Sequence, residues 1–260
     1  MSDPIDAREV EAGLTGPISG PVVWATEVGS TNDLVAMRAR GGAAQGLVIG
    51  SDSQTAGRGR RGRAWVADPG DSVLLRPSRS GRDIGLLPIA VAVGVADGLA
   101  RIGVDTRLVW PNDVTVDGRK LGGILCELAS TGGELVWAVA GVGINVARSP
   151  EVAAPRWRPT SVAEVAPASC SRQLVLASVL AGVSDWYARW DAGGDDAITA
   201  AFAARDALHG RTVRVAVGDR EVTGVADGLD VGGALRIRTA DGSVSELGSG
   251  EVTGVDSADE

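Results

Sequence analysis

Four arginines, Arg58, Arg60, Arg61 and Arg63, crowd into the stretch QTAGRGRRGRAW at residues 54–65, spaced by Gly57, Gly59 and Gly62. Guanidinium groups make bidentate, charge-assisted hydrogen bonds to carboxylate and phosphate. Glycines let the backbone move and come close to a ligand. Without a ligand, like charges this close should repel and leave the loop disordered; an anion would order it. Trp65, at the end of the stretch, could cover an apolar ligand body. The same composition also suits a solvated charge run or an RNA contact.

Three more stretches carry chemistry. In WPNDVTVDGRKLGG, residues 110–123, Lys120 is the only lysine among the chain's 25 basic residues. A chain that uses the planar arginine fork everywhere else keeps one slim, compact ammonium here. Trp110, Asn112 and Asp113 precede it at a strand end, where ligands of open α/β sheets bind. Gly122 and Gly123 would let a ligand lie flat against the backbone. A turn carboxylate in a plain hairpin is the simpler alternative. In GVGIN, residues 141–145, no third glycine falls at 146 and no helix follows, so it is not a dinucleotide fingerprint. A buried strand whose glycines leave room for a ligand, with Asn145 as its polar end, fits better. In GSTN, residues 29–32, Ser30 and Thr31 suit a helix cap; the same hydroxyls and free N–H groups suit a neutral polar ring such as a urea. No GxxxxGK[ST] phosphate loop is present.

Composition narrows the classes. The 260 residues carry a net charge of −8, with 44% hydrophobic and 22% charged residues. That is a soluble globular composition without the basic face of a dedicated nucleic-acid binder, so anion binding must be local. Cys126 and Cys170 have no paired spacing, which excludes a disulfide scaffold or zinc knuckle and fits the cytoplasm. The single histidine, His209, cannot support a multi-histidine metal site, and no metal ligands are expected from the protein. No apolar run is expected to approach the roughly 18 residues of a membrane span, and the start, MSDPIDAREVEAG, has acids where a secretion signal needs positive charge.

The elements that must hold these stretches follow from periodicity. A short acidic helix is expected over residues 6–14. Strands are expected over 22–27, 46–52, 71–76 and 106–110. Ser30 caps a helix over 32–40, and a buried helix runs over 86–102 with Pro88 in its first turn. Asp117-Gly118 turns a hairpin within 114–128. A long apolar strand covers 135–146, then a loop rich in Pro and Arg runs over 147–159. With Ser171 as cap, residues 172–191 place Leu176, Val179, Leu180, Val183, Trp186, Tyr187 and Trp190 on one helical stripe, and an alanine-rich helix covers 195–208. After His209-Gly210, five short alternating segments split by Gly/Asp turns predict a small β-barrel or sandwich. The organisation expected is a tail at 1–20, a ligand-binding domain at 21–208 and a C-terminal β domain at 209–260.

In this order and at these separations, GSTN, QTAGRGRRGR, WPNDV, KLGGIL and GVGIN resemble the biotin–protein ligases, from about Val23 to the C-terminus. The resemblance implies an α+β fold: a mixed β-sheet flanked by helices, of class II synthetase-like type, plus a small C-terminal SH3-like β-barrel. It implies that the carboxylate of biotin attacks the α-phosphate of ATP, with Mg²⁺ on the phosphates. The biotinyl-5′-AMP then passes its acyl group to one lysine of a biotin carboxyl carrier protein or domain. Ser30, Thr31, Asn32 and Gln54 would contact the biotin head. Gly57, Arg58, Gly59 and Arg60 would close over it, Gly123 and Gly143 would line its slot, and Trp65 would shield it. Lys120 and Arg60 would stabilise the reacting carboxylate and phosphate, while Arg58, Arg61, Arg63, Asn112, Asp113, Lys120 and Asn145 would serve ATP.

The sequence departs from the family pattern in SDSQ, where an acid is common before the glutamine, and in KLGGIL for KLAGIL. Residues 1–20 are too few for the winged helix of members that also repress transcription, so a short, non-repressor form acting without DNA or membrane is expected, as a monomer or homodimer. A lipoate or octanoate ligase or transferase shares the fold and an active-site lysine, but GRGRRGR and WPND argue against it. A nucleic-acid-binding regulator would use the arginine loop, and the acidic charge argues against that.

Overall fold

The computed structural model describes residues 4–256 apart from 66–69, 80–81, 133, 152–156 and 168–169. The middle of the loop rich in Pro and Arg therefore lies outside the described residues. The chain begins with α1 (Ala7–Gly13), β1 (Val22–Val28), α2 (Thr31–Arg40), β2 (Val48–Gln54) and β3 (Gly70–Leu75). It continues through α3 (Leu87–Arg101), β4 (Arg107–Val109), β5 (Asp113–Val116), β6 (Arg119–Thr131) and β7 (Glu134–Ile144). Helices α4 (Val162–Val165), α5 (Arg172–Asp191) and α6 (Asp195–Ala203) follow. Five strands close the chain: β8 (Thr212–Val217), β9 (Arg220–Leu229), β10 (Leu235–Arg238), β11 (Val244–Leu247) and β12 (Glu251–Val255).

The first seven strands form one mixed sheet in the order β1-β2-β3-β7-β6-β5-β4. Strands β1 and β2 pair in parallel, joined by the crossover helix α2, and the other neighbours are antiparallel. Asp117 and Gly118, at φ 48° and 71°, turn β5 into β6, the pair of positive φ values that matches strand twist in a two-residue hairpin. The last five strands form the antiparallel sheet β11-β10-β9-β8-β12, the small β unit expected after His209.

Alternation along the strands sends side chains to two cores. Val73 and Leu75 of β3 face the main core with α3 and α5, whereas Leu74 faces a smaller one with Val35 and Ala39 of α2. The whole predicted stripe of α5, from Leu176 to Trp190, is buried, and each large apolar side chain removed from water contributes about 2 kcal/mol. Helices α3 and α5 cross at van der Waals contact between backbones. A Cβ on Gly182 would sit 2.2 Å from the carbonyl oxygen of Gly94, and one on Gly98 would sit 2.4 Å from that of Ser178.

This close crossing explains one departure from the sequence reading. Residues Ile84–Arg101 are long and apolar enough, by composition, to cross a bilayer. Here that run is the central core helix, apolar nearly all round because α5, α6 and the sheet enclose it. A second departure is α6, which stops at Ala203 rather than 208. The chain leaves the helix to pair beside β4: Leu108 N–H donates to Arg205 O (2.8 Å) and Ala207 N–H to Leu108 O (2.9 Å). Sheet-edge pairing there takes the backbone groups that alanine propensity would have kept helical.

Candidate active site

The floor of the site is a row of glycines. Gly70 on β3 pairs with Gly143 on β7, which pairs with Gly123 on β6, which in turn pairs with Asp113 on β5. Three neighbouring strands thus present bare backbone to the same face. Above it opens a cleft of about 910 Å³, including space continuous with solvent, the size of a site for a small organic molecule. The indole of Trp65 lies over this floor. A Cβ on Gly143 would fall 2.4 Å from the Trp65 ring and one on Gly123 3.6 Å from it.

At one end stands the start of α2. Ser30 is the N-cap residue, and Ser30, Thr31 and Asn32 are all buried. Gln54, the last residue of β2, accepts from Thr31 N–H (3.0 Å) and Thr31 Oγ1 (3.2 Å). Thr31 Oγ1 lies 2.7 Å from Ser72 Oγ, which donates to Asn32 Oδ1 at 2.6 Å. Asn32 Nδ2 donates to Glu127 Oε2 at 2.6 Å. One connected set of polar side chains therefore lines the head of the cleft.

At the other end Lys120 Nζ donates to Asp113 Oδ1 at 2.6 Å and lies 5.8 Å from the Trp65 ring centroid. The Asp113 side chain is almost fully buried, and that of Lys120 is about one third exposed (4% and 30%). The backbone of Lys120 is clamped by residues 158–160: its N–H donates to Arg158 O (2.7 Å) and its carbonyl accepts from Thr160 N–H (2.8 Å). Asn112 lines the cleft and fixes the hairpin, its Nδ2 donating to Ile124 O at 2.9 Å.

The arginine loop closes the cleft from above, with a short 3₁₀ turn at Arg60–Gly62. The mutual repulsion expected of the four arginines is offset by acids from three other elements. Arg58 Nη2 meets Asp33 (2.7 Å) on α2 and Glu127 (3.0 Å) on β6. Arg61 (3.6 Å) and Arg63 both meet Glu251 on β12 of the C-terminal sheet. Arg60 rests on a carbonyl instead, donating from Nη1 to Gly250 O at 3.2 Å. Its pKa is lowered, chiefly because burial penalises the cation and then because Arg61 is near.

Most of the anticipated residues meet at this cleft: Ser30, Thr31, Asn32, Gln54, Arg58, Gly59, Arg60, Arg61, Arg63, Trp65, Asn112, Asp113, Lys120, Gly123 and Gly143 line it. Two do not line it. Gly57 sits at the base of the loop, where its carbonyl accepts Trp65 N–H (2.8 Å) and a Cβ would fall only 2.8 Å from Trp65 O. Asn145 is buried behind Lys120, donating to Lys120 O (3.4 Å) and Thr160 O (2.9 Å). It braces the segment that carries the lysine. Trp110 also turns away, buried against the C-terminal unit with Nε1 donating to Gly233 O at 3.2 Å.

Sequence reasoning missed Ser72, Glu127, Glu251 and Asp71. A period of two could have found the first two, since Ser72 shares a strand face with Gly70, and Glu127 shares one with Gly123 and Leu125. Glu251 sits in a segment with no chemical motif. Asp71 points to the back of the sheet, into a smaller cavity with Trp24, Arg172 and Val175. It is 9% exposed, and its Oδ2 has no hydrogen-bond partner. Burial pushes its carboxyl up to about 7, opposed only by its own N–H.

A mixed sheet carrying a glycine floor, a lone lysine and an arginine lid, followed by a small β unit, defines the class. Residues 25–145 match the biotin/lipoate A/B protein ligase family, and residues 208–253 match the biotin protein ligase C-terminal domain. The biotin–[acetyl-CoA-carboxylase] ligase of Mycobacterium tuberculosis is 33% identical over 251 residues, 90% of each chain. That of Paracoccus denitrificans is 32% identical over 194 residues, 71% of this chain and 81% of the relative. The structure of a biotin protein ligase from Aquifex aeolicus in complex with biotin and ATP superposes with a TM-score of 0.76 at 27% identity, covering 89% of this chain and 97% of that one. The chain belongs to the biotin protein ligase family.

Proposed function

We infer that the protein is an ATP-dependent biotin–protein ligase. The observation that carries this reading is the gathering of Lys120 and the arginine loop around one flat glycine floor. Two anions, a carboxylate and a nucleotide phosphate, must be brought together in a protein of net charge −8. The cleft gathers Lys120, Arg58, Arg60, Arg61 and Arg63 to do so. We assign the biotin head to the polar end formed by Ser30, Thr31, Asn32 and Gln54, and its apolar body to the glycine floor, where the Trp65 indole now rests on Gly143 and must lift to cover the ligand. The carboxylate then lies toward Lys120.

Attack of a carboxylate oxygen on the α-phosphorus forms the acyl–phosphate bond and expels pyrophosphate. The ε-amine of the acceptor lysine next attacks the acyl carbon, and AMP leaves. Lys120 is too firmly ion-paired to serve as acceptor. It stabilises charge on the α-phosphate, and Asp113 aims it. Fixed charges already in place at the transition state contribute the most when they need not reorganise, and alignment of the two substrates supplies much of the remainder. Arg60, resting on a carbonyl and partly desolvated, is the loop arginine freest to turn to the substrate. Arg61 and Arg63, with Asn112 and Asp113, are assigned to the nucleotide side, and Asn145 acts through Lys120.

Among the described residues no group of three His, Cys, Asp or Glu could hold a metal ion. Mg²⁺ is therefore assigned to the nucleotide's own phosphates and water, the coordination it favours. We further propose that the acceptor is the biotin carboxyl carrier domain of a carboxylase in the cytoplasm, and that residues 21–208 and 209–260 are the functional units. The test is incubation with biotin, ATP, Mg²⁺ and a purified carrier domain. Biotinylated carrier and AMP are expected; transfer of lipoate but not biotin would replace this reading.

A further inference from the structure

The head of the cleft and the arginine loop meet at one carboxylate. Glu127 Oε2 accepts Asn32 Nδ2 at 2.6 Å, and both Glu127 oxygens accept Arg58 Nη2 at 3.0 Å. Asn32 has no freedom in this arrangement. Its Oδ1 takes the proton of Ser72, and only its NH₂ group can serve a carboxylate. Ser72, having given its single proton to Asn32, accepts from the Thr31 hydroxyl, which leaves Gln54 Oε1 the Thr31 backbone N–H. A chain of hydrogen bonds therefore runs from the Thr31 hydroxyl through Ser72, Asn32 and Glu127 to Arg58, and Gln54 joins it at the Thr31 backbone. Its first members lie where the head of the substrate is assigned, and its last belongs to the lid. Glu127 does not itself line the cleft. It sits on β6, whose pairing with β7 runs from Gly122 to Thr131, so the fixed end of the link is the sheet and the free end is the loop.

We propose that Glu127 is a positioning residue that couples occupancy of the head pocket to the placing of Arg58, so that biotin and nucleotide strengthen each other's binding. The proposal rests on the ligase reading above. A ligand bonding at Thr31 or Gln54 changes the strength of the bonds along the chain without reversing them, because hydrogen bonds in such chains polarise one another. Coupling of this kind is reciprocal, so it can be read from either substrate.

Two substitutions separate the halves of the link. In Glu127→Gln the side-chain Oε1 still accepts Asn32 Nδ2, but the carboxylate that ties Arg58 to this chain is lost, and Arg58 keeps only Asp33. In Glu127→Ala both contacts go. Calorimetry measures the biotin Kd of the full chain with and without α,β-methylene-ATP, whose bridging carbon blocks the reaction. The wild type is expected to bind biotin about tenfold more tightly with the nucleotide analogue present. Glu127→Gln should keep the biotin Kd within about threefold, with the tenfold coupling gone. Glu127→Ala should lose the coupling and also weaken biotin about tenfold, as loss of a charge-assisted bond does. Hydrogen exchange over residues 57–63 should show protection by biotin in the wild type and none in Glu127→Gln.

A merely structural role would lower the Tm of both variants and leave the coupling intact, and that result overturns the proposal. Equal biotin binding with and without the analogue in the wild type overturns it too. If the wild type binds no biotin at all, the ligase reading falls and takes the proposal with it; wild-type coupling in the variants removes the proposal alone.

Discussion

Asp71 tests whether the back of the sheet is as dry as the geometry says. The residue is only 9% exposed, its Oδ2 lacks a partner, and burial raises its pKa from 3.8 to about 7. A carboxyl whose folded-state pKa is raised binds its proton more tightly folded than unfolded. Stability then falls as pH rises between the unfolded and folded values, and levels off above the latter. At 1.36 kcal/mol per decade of proton affinity, the fall is about 2 kcal/mol by pH 5 and about 4 kcal/mol above pH 7. Asp71→Asn has nearly the same shape and cannot ionise, so it removes the pH-dependent part alone. Urea titrations of both proteins from pH 4.5 to 8.5 give the comparison. The difference in unfolding free energy should shift in favour of Asn by about 3 kcal/mol from the acid to the alkaline end, most of it below pH 7. Parallel profiles, with a constant difference between the two proteins, would refute the reasoning by showing that water or a cation reaches the carboxylate.

Lys120→Arg keeps the charge but replaces a slim ammonium, 2.6 Å from Asp113 and facing the Trp65 ring, with a wider fork. Pyrophosphate release should fall at least about a hundredfold while thermal unfolding stays close to wild type; a near-normal rate counts against the assigned role. Gly182→Ala drives a methyl group to 2.2 Å from the Gly94 carbonyl oxygen, and the forced separation of α3 and α5 should cost about 3 kcal/mol, measured as a lower urea midpoint. A loss under about 1 kcal/mol would mean that the helices can part freely.

Local patterns carried much of this molecule. Ser171 and the stripe from Leu176 to Trp190 defined α5 at both ends because cap chemistry and a 3.6-residue period agree there. The Asp117-Gly118 turn marked the hairpin because few residue pairs tolerate its backbone angles. The lining of the cleft was legible wherever residue type was unusual: a lone lysine, clustered arginines, paired glycines. What stayed hidden depends on register. That Gly70, Gly143 and Gly123 form one row, and that Glu127 meets both Asn32 and Arg58, follows from strand pairing across 20 to 95 positions, which no local window contains. Asn145 misled for a related reason. A polar residue at a strand end suits a ligand, but here the returning chain at Thr160 and Val162 takes its amide and carbonyl. The helix expected over 86–102 was legible as buried, but residues 84–101 are also long and apolar enough to match a membrane span, contrary to the expectation from sequence.

The composition of the basic residues has a chemical consequence of its own. A mixed anhydride that escapes the cleft acylates whatever amine it meets first. This protein makes such a species while carrying a single side-chain amine, and that one is ion-paired with Asp113 inside the site. Its surface cations are arginines, which keep the attraction for anions and offer no nucleophile. The enzyme is thus a poor acceptor of its own product, and the acyl group is left to a lysine that another protein must bring. An amine-acylating reagent, for the same reason, reports on one side chain: its uptake at Lys120 measures how open the cleft is.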